Sequence, residues 1–187
     1  MKTLRISGII LLLLAVSFLS AGCFDVNSNF RNVRNHLLKA AGSKYEKDQE
    51  FALGSVSMAV VKQVVKSSHD DKQNIELIKN ISGLQLGIYK KKNDVGKAET
   101  DVPDAESFNE ICRMMEKGGY IKMVRSINKN EVSAVFLKLN KQQNLTKMLV
   151  ISVNQNELVL IDIAGNLDRL FETALRDKGL GKLAIKY

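Results

Sequence analysis

Tryptophan is absent from the 187 residues, proline occurs once, at Pro103, and cysteine and histidine occur twice each. The scarcity of proline, with only 12 glycines, excludes a collagen-like chain and a low-complexity disordered one. Two cysteines, at 23 and 112, cannot form a disulfide framework, and with only His36 and His69 beside them the usual zinc spacings are missing. No cofactor is expected. No Gly-rich phosphate loop is present, because "GNLD" and "KGLGK" lack the spacing that cradles a phosphate with backbone amides. Neither a G-x-S-x-G nor a convincing S-x-x-K occurs, so nothing local marks a serine nucleophile.

What is present begins with a leader. Lys2 and Arg5 precede an uncharged run from Ile6 to Leu19, which small residues interrupt at Ser20, Ala21 and Gly22. Crossing a bilayer takes about 20 apolar residues, so the run fits a signal peptide better than a membrane span. Cys23 follows at once. The order of charge, apolar run and Ala-Gly-Cys resembles the bacterial lipobox, in which the thiol receives a diacylglycerol and the cysteine becomes the first mature residue. Ser20 stands three places before the cysteine, where a large aliphatic is usual, and Leu19 is one place earlier. Residues 1–22 are therefore assigned to the signal peptide, 23–29 to a short lipid-anchored linker and 30–187 to a single α+β domain. Two or three acyl chains, at about 0.8 kcal/mol per buried methylene, would hold it on a membrane durably. Asp25 lies one place too late for the inner-membrane retention signal of some Gram-negative bacteria, so the expected location is the outer membrane, facing the periplasm.

Acylation of Cys23 leaves Cys112 alone. It lies in "SFNEICRMM", where Phe108, Ile111, Cys112 and Met115 recur at helical spacing, and a buried structural thiol is expected. The net charge of +8 falls to about +6 when Lys2 and Arg5 are removed, leaving 26 basic against 20 acidic residues. Basic residues scattered among acids without interleaved aromatics do not make a nucleic-acid surface. The expected partners are a membrane, through the anchor, and another envelope protein. Anionic lipid suits the basic excess better than nucleic acid, and the densest cluster, Lys90, Lys91 and Lys92, would face a membrane surface or form the solvated end of a strand, the strand end being favoured.

Periodicity places a first helix with Phe30, Val33, Leu37 and Leu38 on one face, a strand around 50–55, and a helix in "SVSMAVVKQVVKSS" capped by Ser57. A further helix in "KQNIELIKNI" is expected to use Ile75, Ile78 and Ile81 and to stop at Gly83 before the strand "LQLGIYKK". Residues 93–100 form the best loop candidate, and Pro103 suits the first turn of the helix that Gly118 and Gly119 end. Four strands follow in a meander, "YIKMVRSI", "EVSAVFLKL", "LTKMLVISV" and "ELVLIDIAG", joined by Asn- and Lys-rich turns. Both alternating sets of "EVSAVFLKL" are apolar, which predicts a central strand covered on both faces. A last helix opens at Asn166 and turns Leu167, Leu170, Phe171, Ala174 and Leu175 to the sheet. The fold expected is α+β, a mostly antiparallel sheet of about six strands with helices packed on it.

The stretches "SVSMAVVKQVV", "IKNISGLQLGIY", "SFNEICRMM" and above all "VLIDIAGNLDRL", with the lipobox upstream, resemble a Bacteroidetes-type bacterial lipoprotein family catalogued as domain of unknown function family 4252, over about 30–175. The resemblance implies a membrane lipoprotein of a Gram-negative envelope and no activity.

Few residues are candidates for chemistry. His36 neighbours Asn35; His69 stands in "SSHDDKQN", where Asp70 and Asp71 would cap the next helix or help hold a cation, capping being favoured. Asp162 interrupts an apolar run. It would mark a pocket or lie on an exposed sheet face opposite Val159, Ile161 and Ile163, and its alternation with them favours the exposed face. The sequons at Asn80 and Asn144 are chance matches in a bacterial chain. The functional expectation is a non-catalytic binding or envelope-signalling module. The alternatives are a small periplasmic enzyme, for which a pocket joining Asp162 to His36 or His69 would speak, and a structural envelope component, for which an exposed apolar patch would.

Overall fold

The computed structural model describes residues 25–42, 44–67, 72–92 and 102–177, the side chains at 67, 72–74 and 174–177 excepted. Cys23, His69, the candidate loop at 93–100 and the side chains of Ala174 and Leu175 thus lie outside the described residues. The elements run α1 (Ser28–Ala40), β1 (Tyr45–Leu53), α2 (Ser55–Ser67), α3 (Lys72–Lys79), β2 (Ile81–Lys91), α4 (Ala105–Lys117), β3 (Ile121–Ile127), β4 (Glu131–Leu139), β5 (Leu145–Asn154), β6 (Glu157–Gly165) and α5 (Leu167–Asp177).

All five strand pairings are antiparallel, in the order β1-β2-β6-β5-β4-β3. The C-terminal meander is therefore present, and the β1–β2 pair adds to its open side along β6. The fold is α+β, with helices packed on the sheet.

One face of the sheet carries the main core. Val132, Ala134 and Phe136 of β4, Leu149, Ile151 and Val153 of β5, and Leu158 and Leu160 of β6 are all 0% exposed. They meet Phe30, Val33 and Leu37 of α1 and Phe108, Ile111, Cys112 and Met115 of α4. Both helices show the spacing that aligns one apolar stripe. Cys112 is buried and its thiol is pushed up chiefly by that burial, as its place in the stripe predicts. Val26 is 1% exposed within the same cluster, and Asn27 caps α1 by accepting from the Phe30 amide at 2.9 Å. The folded body thus begins inside the segment assigned to the linker.

The opposite face is only half-buried. Leu84, Leu86 and Ile88 of β2 lie across from Ile163, Ile161 and Val159 of β6, and α2, α3 and α5 cover them in part. This corrects the expectation for β4. It is the strand next to the edge, and Val135, Leu137 and Leu139 are half-buried while their alternates are sealed.

Other boundaries differ for identifiable reasons. β1 starts at Tyr45, five residues early, because an edge strand accommodates the exposed run Glu46 to Gln49 that would be excluded from a central one. Ser57 does not cap α2. The strand ends at Leu53, Gly54 alone makes the connection, and its carbonyl accepts from the Met58 amide at 2.8 Å, leaving Ser57 in the first turn. Ile81 and Gly83 are strand residues, since α3 ends at Lys79 and Asn80 turns the chain. Gly165 explains why that turn is tight: a Cβ there would come within 2.0 Å of the Asn80 carbonyl oxygen, so only glycine fits. Pro103 lies just before α4, whose cap is Asp104, accepting from the Ser107 amide at 2.7 Å. Phe171 is 37% exposed, so it is not sealed against the sheet as its helical spacing predicted.

Lys90, one residue before the end of β2, is exposed and pairs with Asp48 at 2.9 Å, in keeping with the solvated end of a strand. At the other margin, β3 is exposed along its whole length, including Ile121, Met123 and Val124, and forms an open edge.

Candidate functional site

Asp162 is 3% exposed, which overturns the exposed-face expectation. It does alternate with Val159, Ile161 and Ile163, but its own side is the main core face, in line with Leu158 and Leu160. Both residue sets of β6 are apolar, so alternation alone cannot say which set is sealed.

The register explains what surrounds it. Asp162 lies between Gln85 on β2 and Leu149 on β5. Gln85 Nε2 donates to Asp162 Oδ2 at 2.8 Å, and Gln85 Oε1 in turn accepts from the Asn27 amide at 2.8 Å. This relay ties the sheet to the start of α1. Asp162 Oδ1 is buried without a hydrogen-bond partner. Burial pushes the carboxyl above the usual aspartate range, against the opposing influence of the Lys147 ammonium and the Gln85 hydrogen bond.

The carboxylate lines a cleft of about 270 Å³. Ala52, Leu53, Leu84 and Ala164 make its walls largely apolar; Lys147 lies two positions along β5 from the partner of Asp162; Asp25 and Asn27 form part of the rim. Asp25 is engaged by Arg31 at 2.6 Å. Buried Tyr120 feels the same carboxylate, its hydroxyl being raised to about 12, first by burial and then by the negative charge of Asp162.

A second polar group stands on the same sheet face. Arg34 of α1 donates from Nη1 to both carboxylate oxygens of Glu50 at 2.8 Å, and the Tyr89 hydroxyl donates to Glu50 as well. Burial pushes Glu50 up, yet the hydroxyl and the guanidinium outweigh it and its carboxyl is held below the usual range. Tyr89 is raised, by burial and then by Glu50. This trio is closed on itself and clamps α1 to the sheet.

A larger depression of about 670 Å³ lies between the β3–β4 and β5–β6 turns. Four of its side chains hold the turns themselves: Asn128 Oδ1 accepts from the Asn130 amide, Asn154 Oδ1 from the amides of Asn156 and Glu157, and Asn130 Oδ1 from Gln155 Nε2. It is turn architecture. The Asp162 cleft differs in holding a buried acceptor left open.

His36 is exposed on α1, where Nδ1–H donates to the Asn32 carbonyl at 2.8 Å, and it does not line the cleft. Among the described residues no group of three His, Cys, Asp or Glu side chains is placed to hold a metal ion. Sequence reasoning singled out Asp162 and missed Gln85 and Lys147. Lys147 had a signal, because it breaks the apolar set Leu149, Ile151 and Val153 of its strand. Gln85 had none, as an amide in a half-apolar strand is ordinary.

No family model, no curated protein and no solved structure matches this chain.

Proposed function

We propose that the protein is a bacterial envelope lipoprotein, held by acylated Cys23 on the outer membrane and facing the periplasm, whose α+β domain is a non-catalytic binding or envelope-signalling module with the Asp162 cleft as its binding site. The observation that carries the binding half is the buried, unpartnered Asp162 Oδ1 in a cleft with largely apolar walls. An acceptor in that position costs about 1–3 kcal/mol unless a donor meets it. Support for the anchoring half is the ordered leader ending in Ala21, Gly22 and Cys23. The described cleft offers a carboxylate, an amide and an ammonium, a set suited to recognition, with the hydroxyls of Ser55 and Ser82 at its margin.

A photo-crosslinker placed at Ser82 in the native cell tests the binding site. Capture of a discrete species that Asp162→Asn abolishes supports it. Substrate turnover lost with the same substitution would replace the binding module by an enzyme.

The exposed edge β3 favours a second reading, a structural envelope component that pairs through this strand, since an open apolar edge is a template for a further strand.

A further inference from the structure

The cleft contains two unlike charges that do not bond each other. Asp162 presents an acceptor with no partner, and Lys147 lines the same cleft diagonally across the β5–β6 pair, where side chains are about 7–8 Å apart at their bases. A ligand that satisfies both must bring an N–H donor to the carboxylate and a negative group to the ammonium. Charge-assisted hydrogen bonds are roughly twice as strong as neutral ones, so an ammonium is the best-matched donor and a phosphate or carboxylate the best-matched anion.

Position narrows the choice. Asp25 and Asn27 stand at the rim, and Cys23 is two residues before Asp25, so its Cα is at most about 7 Å from that of Asp25. In an acylated chain the cleft mouth would open at the lipid headgroup layer. We propose that the Asp162 cleft is a phosphoethanolamine site, with the primary ammonium donating to Asp162 Oδ1 and the phosphate facing Lys147. Choline is excluded by the same chemistry, having no N–H to donate and three methyl groups to bury against a carboxylate. The apolar walls at Ala52, Leu53, Leu84 and Ala164 accommodate the two-carbon spacer. Asp25 does not compete for the ammonium, because Arg31 holds it. The headgroup chemistry is common to a membrane lipid and a soluble phosphoethanolamine; assignment to the lipid rests on the anchoring proposed above.

The test is calorimetric titration of the full chain in non-ionic detergent with O-phosphoethanolamine, phosphocholine, ethanolamine and inorganic phosphate. O-Phosphoethanolamine is expected to bind at least tenfold more tightly than phosphocholine. Asp162→Asn should erase that preference, and Lys147→Ala should reduce O-phosphoethanolamine to the affinity of ethanolamine, with Lys147→Arg restoring it. Equal affinity for the two headgroups, or an unchanged affinity for O-phosphoethanolamine in Lys147→Ala, overturns the proposal even if Asp162→Asn folds poorly. Flotation of the Cys23→Ala chain with vesicles separates the sources. Binding to phosphatidylethanolamine and not to pure phosphatidylcholine assigns the lipid; binding to the soluble compound alone assigns a soluble ligand. Retention of labelled fatty acid by Cys23→Ala would remove the anchor while leaving the headgroup selectivity standing.

Discussion

At the scale of residues, two carboxylates on one sheet face respond to pH in opposite directions. Burial favours the protonated form of Asp162, so its contribution to stability is fully present below the ordinary aspartate range and is lost as pH rises through its raised native value. Glu50 is the reverse case: its contribution is present above the ordinary glutamate range and is lost as pH falls through its lowered native value. Denaturant unfolding of wild type and Asp162→Asn across acidic to neutral pH should therefore show the variant gaining relative to wild type as pH rises. A constant difference between the two would refute the placement of this carboxylate. Removing the cation from the other group, by Arg34→Ala, leaves a largely buried Glu50 answered by Tyr89 alone and should cost about 2–3 kcal/mol at neutral pH. Gly87 also bears on this group. A Cβ at that position would lie 2.6 Å from the Tyr89 hydroxyl, so Gly87→Ala should push the ring off Glu50 and lower stability by about 1–3 kcal/mol in the same measurement. Of these residues only Asp162 drew notice in the sequence. Arg34, Glu50 and Tyr89 are far apart in the chain and meet only through the β1–β2 register and the docking of α1.

At the scale of elements, the meander was legible to within a residue or two, because each run is rich in β-branched and other apolar residues and each turn carries asparagine or lysine. The first half was harder. The charged run in β1 hides an edge strand, and the apolar residues of "KQNIELIKNI" continue without a break from the end of α3 into β2. Which face of β6 is sealed was not legible either, since that depends on where α1 and α4 pack. The opposite margin has its own consequence. Val124 is 55% exposed on the open edge β3, where a charge disfavours pairing with another strand. Val124→Lys should change the melting temperature by no more than a few degrees and reduce self-association in light scattering. A large loss of stability would mean that this edge is covered in the native protein.

At the scale of the whole molecule, the sequence patterns reached the class of the fold and the positions of most elements, whereas the cleft emerged only from long-range register. Gln85 and Asp162 are 77 residues apart, and the amide that completes their relay belongs to Asn27. No helix among the described residues is long and apolar enough to cross a membrane. The relay and the proposed anchor are close in the chain, because Asp25 and Asn27, which line the cleft, follow Cys23 by two and four residues. The most direct measurement of the central claim is metabolic labelling with an alkyne fatty acid, followed by mass spectrometry of the mature N-terminus. The account predicts a diacylglyceryl-modified Cys23 as the first residue and no label in Cys23→Ala. A mature chain beginning elsewhere with an unmodified thiol at Cys23 would contradict it.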